Sequence, residues 1–536
     1  MTKVFAMGSI FSNKKGKLFI ESVGNFWRTY RKSKKGLLGI AIIVFFVLVS
    51  VFAPAFTPYD PLYSQYLAGP RAKPSWLRAF YGGLSENMEP VIDWTLNDPN
   101  SINEWFLKST PSSSYSIQLR HNSLLGYGGT DSPGCLEAVF SRTRPDIASG
   151  VVTFSIERPF NYPYDGPPAR FNCKDIALLV EGEESENVQI NLCLEDPEGT
   201  RHSIWILDIK EGKVYEKEVS VIPQFNTTTA SWKRVGVYGE WITPLHPIDS
   251  FSTYLRFMYG GVKENPASVI FSNKGDYALV IEVNIKDSGQ NQSTQVHICL
   301  DNIDFRILGT AYGLLGTDQF GRDLFTQLIY GSRVSLIVGL LTATLSVTIG
   351  LTVGLVSGFL GGFVDEVLMR FTDMLIVLPF LPLVLVIIAV MGPSIWNLIL
   401  LMSLLSWMSF GRIVRSQVLS LKERPFVESA RAIGASTLHI IVKHILPNVI
   451  SFVYVALALA VPEAIVLESV LSWLGLGDPR TMTWGMMLHN VQYFGAYEDW
   501  WWVIPPGISI TLLSLAFVLI GFAIDDILNP KLRKRK

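Results

Sequence analysis

The chain has 536 residues, 49% hydrophobic and 17% charged, with a formal net charge of −1. That average conceals two populations. Residues 36–56 and 334–524 are overwhelmingly apolar, while 60–310 reads as a soluble acidic protein, so a single soluble domain is excluded and nothing points to a nucleic-acid partner.

Charge becomes informative by region. The first 35 residues carry nine Lys or Arg against one Glu, and residues 60–310 carry 31 acidic against 21 basic side chains. The tail, 531–536, is again basic. Lys and Arg collect on the cytoplasmic flanks of membrane helices, so both termini are expected in the cytoplasm. The first apolar run, 36–56, is long enough to cross a bilayer about 30 Å thick. Its length and the 35 residues before it argue against a cleaved signal peptide and for an uncleaved anchor.

From about residue 112 the acidic block shows short alternating runs at 151–156, 176–180, 188–194, 203–207, 277–283 and 296–305, bounded by Gly, Asn, Asp and Pro. Period-two alternation of this kind predicts half-buried strands, and so many of them predict a β-sandwich. Residues 66–111, with Trp76, Trp94 and Trp105, are less regular. All four cysteines (Cys135, Cys173, Cys193 and Cys299) fall in this block, and an even count permits two disulfides in three pairings. Cys193 and Cys299 each lie in an expected strand and are candidates to pair across the sandwich. The alternative is four small buried hydrophobes.

Next comes Gly316-Thr-Asp-Gln-Phe-Gly-Arg-Asp323, in which Asp318, Arg322 and Asp323 are expected to cap and staple the helix that follows. Five further spans are expected at 334–359, 374–391, 395–410, 449–471 and 503–524, making six. Gly339, Gly350, Gly354 and Gly358 permit close helix contacts in the second span. Pro379 and Pro382 bend the third. Glu463 and Glu468 share the fifth span about 140° apart at 100° per residue, so they project on different faces. An ionisable group inside a span is a functional candidate, here for lining a polar pathway between the helices, with Glu463 the stronger. Trp500, Trp501 and Trp502 suit an external aromatic belt.

Between the fourth and fifth spans lies the basic segment 412–448. It reads as two short helices hinged at Gly434, where glycine tolerates positive φ cheaply. Pro447 is expected to end the second helix. Such a hairpin serves neither lipid nor pore and reads as a docking surface.

The run Glu428-Ser-Ala430, then Gly434, then Leu446-Pro447 resembles the EAA loop of ABC-importer permeases. The 315–323 motif, Gly358 to Arg370, Glu468 to Gly477 and Trp484-Gly485 resemble the C-type subunit of dipeptide and oligopeptide permeases, over residues 1–65 and 310–536. The chain departs from that family in Ser429, where Ala is usual, and in an insertion of about 240 residues. The resemblance implies an all-α polytopic membrane protein of the type I importer fold, with six transmembrane helices. The insertion adds an all-β, jelly-roll-like sandwich, expected outside the cytoplasm.

The expected divisions are a basic N-terminus (1–35), a first span (36–58), the insertion (59–312), the permease core (313–525) and a basic tail (526–536). The resemblance further implies ATPase docking through Glu428, Ser429, Ala430, Gly434, Leu446 and Pro447. Implied partners are ATP-binding subunits, a second permease subunit and an external solute-binding protein. The chain itself carries no P-loop, nucleophile elbow or His-Glu-x-x-His motif, so it is not read as an enzyme and no cofactor or metal is expected. The competing reading is a membrane-anchored carbohydrate-binding receptor or sensor, for which a docking hairpin would have no use.

Overall fold

The computed structural model describes residues 27–88, 91, 96, 98–110, 112, 114–127, 134–142, 150–182, 187–222, 227–259, 265–287 and 295–528. Most of the basic N-terminus, Trp94 and nearly all of the basic tail lie outside those residues. The chain divides into two units: Met1–Ser64 with Leu324–Lys536, and Gln65–Asp323. The boundaries fall later than the sequence suggests, because 313–323 pairs with the second unit.

The first unit is helical. α1 spans Lys34–Val51, α2 Leu324–Leu360, α3 Gly362–Val377, α4 Phe380–Met391, α5 Ile395–Ser406 and α6 Met408–Lys422. α7 spans Pro425–Ala432, α8 Thr437–Ile440, α9 Leu446–Leu471, α10 Trp484–Tyr493 and α11 Trp500–Leu528. Among the described residues five helices are long and apolar enough to cross a membrane, or six if α3 and α4 count as one broken span. Those two meet at 89°. The bend expected in the third span at Pro379 is present, but it separates two helices that begin at Gly362, earlier than expected, and Pro382 lies inside the second. Pro379 cannot donate to a helical ladder and holds Leu378 in extended backbone (φ −68, ψ 131).

Glycine sets how closely these helices approach. A Cβ on Gly354 would lie 2.6 Å from the Gly411 carbonyl, and one on Gly350 2.8 Å from the Trp407 carbonyl. One on Gly358 would meet Val418 Cβ at 2.8 Å, and one on Gly339 would meet Ile465 at 2.6 Å. Lipid offers helices no hydrophobic drive to associate, so backbone-to-backbone contact through small residues carries the fit.

The second unit is built on antiparallel sheets. Its strands are β1 Phe106–Ser109, β2 Tyr115–Asn122, β3 Cys135–Arg142, β4 Gly150–Tyr162 and β5 Arg170–Lys174. They continue with β6 Ala177–Gly182, β7 Asn187–Glu195, β8 Arg201–Lys210, β9 Lys213–Ile222 and β10 Thr227–Val237. The last five are β11 Trp241–Ile242, β12 Ile248–Asp249, β13 Gly275–Asp287, β14 Gln295–Asp301 and β15 Asp304–Leu308. The sheets run β1-β4-β13-β7-β8-β9-β10, β11-β6-β14-β3-β2, and β12-β5-β15.

Alternation places one face of each sheet inward. Ile156, Ile281 and Leu192 form a row across β4, β13 and β7, and they share one core with Phe140, Val180 and Ile298 of the five-stranded sheet. Burying each such side chain is worth about 1.5–3 kcal/mol.

The same alternation corrects the cysteine pairing. Leu192 and Leu194 point into the core, as do Ile298 and Leu300, so Cys193 and Cys299 face outward on different sheets. They are not opposed across the sandwich. Cys299 instead sits with Cys135 and Leu179 in a small cluster outside the main core, and all four cysteines are buried free thiols.

The 316–323 motif clamps the segment 66–73. Thr317 Oγ1 donates to the Gly69 carbonyl (2.6 Å) and accepts from Ala72 N (2.9 Å). Gly316 and Gly321 take φ of +73 and +69, where a Cβ would strike the Ala72 and Ala68 carbonyls at 2.1 and 2.4 Å. Asp318 is fully buried. Its carboxylate accepts from Phe320 N (2.8 Å), Arg322 N (3.0 Å) and Arg322 Nε (2.6 Å). Asp318 thus caps its own turn, not the following helix, and Arg322 staples that turn. Asp323 is buried immediately before α2.

Candidate functional site: the hairpin between α6 and α9

α7 begins with Pro425 at its first position, where the missing N–H costs nothing, and carries Glu428 in its first turn, where the helix dipole favours a carboxylate. Ser429 Oγ donates back to the Pro425 carbonyl at 2.8 Å. The helix ends in a Schellman motif, with Ala435 N bonded to the Ala430 carbonyl (3.1 Å) and Gly434 N to that of Arg431 (3.0 Å). This geometry requires a left-handed residue, and Gly434 supplies it at φ +81 with open space around its Cα. Two residues later Ser436 caps α8 by accepting from His439 N at 3.4 Å. The helix–glycine–helix turn expected at Gly434 is therefore present.

The second arm departs from expectation. Pro447 does not end it, because the chain remains helical from Thr437 to Leu476. A π-turn at Ile441–Ile445, with Leu446 N bonded to the Ile441 carbonyl, precedes the proline. Widening the ladder by one residue accommodates a proline that has no N–H to return to the previous turn. Asn448 Nδ2 donates to the His444 carbonyl at 2.7 Å. Leu446 is half-buried and Pro447 exposed.

The hairpin has two faces. Val427 and Ala430, three residues apart, are buried in a cluster with Leu355 and Phe359 of α2, Val414 and Val418 of α6, and Ile440, Ile445 and Val449. Outward stand Glu428, Ser429 and Gly434, with Ile433 85% exposed, Leu438 71% and Val442 53%. Three large apolar side chains around one exposed turn form a surface of the kind partners cover.

Two charge pairs brace the helices beneath. Arg415 grips Asp365 with both Nε and Nη2 at 2.6 Å, joining α6 to α3, and Arg412 pairs with Asp373. Both arginines belong to the basic segment 412–448 expected between the fourth and fifth spans, whose first eleven residues are instead part of α6. Their signal was the match of Asp365 and Asp373 on one apolar helix to Arg412 and Arg415 on another.

The two span carboxylates separate clearly. Glu468 is fully buried and accepts from Ser472 Oγ at 2.7 Å and Ser469 Oγ at 3.4 Å. Glu463 is exposed and lines a cavity of about 330 Å³ with Leu375, Leu378 and Phe380 at the α3–α4 break and Ser406 and Ser409 at the α5–α6 junction. Trp484 is a packing residue whose Nε1 donates to the Leu328 carbonyl at 2.9 Å. The adjacent Gly485 gives the backbone room against Ser469.

Comparison with known proteins agrees with this arrangement. The family model described as the binding-protein-dependent transport system inner membrane component matches residues 350–534. The N-terminal TM domain of oligopeptide transport permease C matches 23–74. The dipeptide transport system permease protein of Bacillus subtilis (strain 168) is 39% identical over 220 residues, which cover 41% of this chain and 69% of that protein. The chain belongs to the dipeptide and oligopeptide ABC-importer permease family.

The oligopeptide transport system permease protein of Salmonella typhimurium is 42% identical over 217 residues, covering 40% of this permease and 72% of its own length. A solved MetNI methionine ABC transporter matches 39% of this permease and 96% of its own chain, at 18% identity and a TM-score of 0.31, a likeness too slight to argue from. Both family matches lie wholly outside residues 75–349, and so outside nearly all of the β unit. This protein is the transmembrane permease subunit of an ABC importer.

Proposed function

We propose that the permease forms half of a translocation pathway for peptides or similar small solutes, with the 424–448 hairpin as its socket contact to separate ATP-hydrolysing subunits. The observation that carries this is the hairpin itself: a glycine-dependent turn with Ile433, Leu438 and Val442 exposed, rooted by Val427 and Ala430 among α2 and α6. A force on the turn reaches α2 and α6 directly, and the Asp365–Arg415 pair extends it to the bent α3–α4 pair. Glu463 lies beside that break and lines the route.

In this reading α3 and α4 make one of six spans, both termini are cytoplasmic, and residues 59–312 lie outside as a jelly-roll-like sandwich. A second permease subunit completes the pathway, and an external solute-binding protein delivers substrate. The insertion, joined in sequence between the first two spans, helps receive that protein. Deleting 70–308 with a short linker leaves basal ATP hydrolysis and lowers its stimulation by loaded binding protein. Unchanged stimulation removes the insertion from transport.

Gly434→Val tests the hairpin. A β-branched residue at φ +81 carries about 1–3 kcal/mol of strain. Stimulated ATP hydrolysis in the reconstituted complex falls at least tenfold while membrane insertion is retained. Normal stimulation would overturn the assignment.

A further inference from the structure

The root of the β unit carries an apolar surface that its own fold leaves bare. In the 3₁₀ turn Ser75–Ala79, Leu77 is buried while Trp76, Arg78 and Ala79 are exposed. The Leu77 carbonyl accepts from Phe80 N and Tyr81 N, both at 2.9 Å, which fixes the exit of the turn. Trp76 is 48% exposed, Phe80 78% and Tyr81 49%. Leu314, 59% exposed, joins them, because Trp76 Nε1 donates to its carbonyl at 3.0 Å and Ser75 N to that of Gly313 at 3.0 Å. The Lys73 ammonium lies 4.8 Å from the centre of the Tyr81 ring. Large apolar side chains grouped in this way mark a contact surface.

What covers it follows from its distance to a span. A Cβ on Gly313 would sit 3.4 Å from Asp323 Oδ1, and Thr317 pairs with Asp323 in an antiparallel bridge. Leu314 is thus held near the residue that leads into α2. The apolar run 36–56 closes on Phe52 and Phe56, both more than half exposed. The next residue, Thr57, bonds hydroxyl to hydroxyl with Thr326 of α2 at 2.7 Å. Thr326 is therefore level with the end of that run. Asp323 lies at most about 11 Å away, three residues at about 3.8 Å each. A headgroup layer is about 5–8 Å deep on each side of the hydrocarbon.

The side chains suit that layer. Trp and Tyr rings gather where one end is apolar and the other wet, and Lys at the same depth keeps its ammonium among the headgroups. The Trp76 N–H is satisfied within the root, so the ring enters with no unmet donor.

We propose that Trp76, Phe80, Tyr81 and Leu314 seat the root of the β unit in the phospholipid headgroup layer, with lipid as the occupant of this surface. The proposal needs only that the first apolar run and α2 cross the membrane, so the ATPase contact stands if it fails.

The test uses full-length permease carrying Phe80→Cys, labelled with bimane and reconstituted in phosphatidylcholine nanodiscs. The unsubstituted chain, whose four thiols are buried, sets the background. Lipid bearing a nitroxide on its headgroup lowers the bimane emission at least twofold, and lipid with the nitroxide deep in its acyl chain lowers it less. Leu314→Cys gives the same order and serves if the first variant fails to fold. Emission untouched by either lipid would mean that the surface faces water or a protein partner, and would overturn the proposal. Stronger quenching from the acyl nitroxide would overturn it too, by placing these residues in hydrocarbon.

Discussion

The two units of this permease solve opposite packing problems with one alphabet. In the β unit the apolar side chains of alternating strands are buried to within a few per cent, and charge sits on the outer faces in bonded clusters. Arg201 there reaches Glu157, Glu195 and Glu282 from three strands. In the helical unit Val44, Phe45, Val47 and Leu48 of α1 stand 42–59% exposed, because lipid rather than protein covers them. Specific contact there falls to small residues, at Gly339, Gly350, Gly354 and Gly358. One unit is specified by what is large and buried, the other by what is absent from its glycines.

The sharpest way to break that contrast is Gly354→Leu. The first added carbon meets the Gly411 backbone at 2.6 Å, so α2 and α6 must part, at a cost of about 3 kcal/mol. Folded, monodisperse permease is lost. If the variant purifies normally with unchanged thermal stability, the glycine contacts are not what holds α2 to α6. The same substitution at Gly507, where a Cβ meets nothing within 4 Å, is tolerated.

In the β unit the matching test removes a bonded charge. Glu137 is 1% exposed on β3 and accepts from Arg120 Nε (2.8 Å), Arg120 Nη2 (3.0 Å) and Asn122 (2.9 Å), with His297 Nδ1 at 2.6 Å. Burial alone would raise its pKa, but the bonds from Arg120, His297 and Asn122 outweigh that and hold it at about 2. Because the folded value lies below the unfolded one, its stabilisation is complete above about pH 4.5 and is lost as pH falls toward 2. Glu137→Gln costs about 2 kcal/mol at pH 7. The wild-type advantage over it shrinks on acidification. An advantage that is flat between pH 6 and 3 contradicts this account.

How much of this was legible differed by unit for physical reasons. Local rules carried the turn: a glycine between two helical stretches marks a place where positive φ is cheap, at Gly434. Strands with clean alternation, such as β7 and β13, were also visible. The Pro447 stop was misread because a π-turn, which no residue type announces, absorbs the proline. The motif 316–323 looked like a helix cap because its partners, residues 66–73, lie about 245 positions earlier in the chain. Cys193 and Cys299 were misjudged although the pattern was available, since Leu192, Leu194, Ile298 and Leu300 already claimed the inward positions. Glu463 and Glu468 were rightly assigned different faces. Which of them meets a cavity depended on the α3–α4 break, which only the fold supplies.

The smallest effect expected concerns the thiols, and it separates burial from bonding. Burial pushes the Cys173 thiol up and takes Cys193 to about 12, while a hydrogen bond with Cys135, with burial second, raises Cys299. Because the thiolate is the nucleophile, these three stay inert at neutral pH despite being reduced. An impermeant maleimide added to the native permease therefore labels none of them, with no change in stability. After denaturation without reductant, mass spectrometry finds four alkylated cysteines. Two would show that a disulfide forms in the mature protein, and Cys135 with Cys299 is the pair whose cluster would have to close. Labelling of Cys193 in the native state would instead mean that the outward face of β7 opens, and the β unit would lose its claim to the tighter packing of the two.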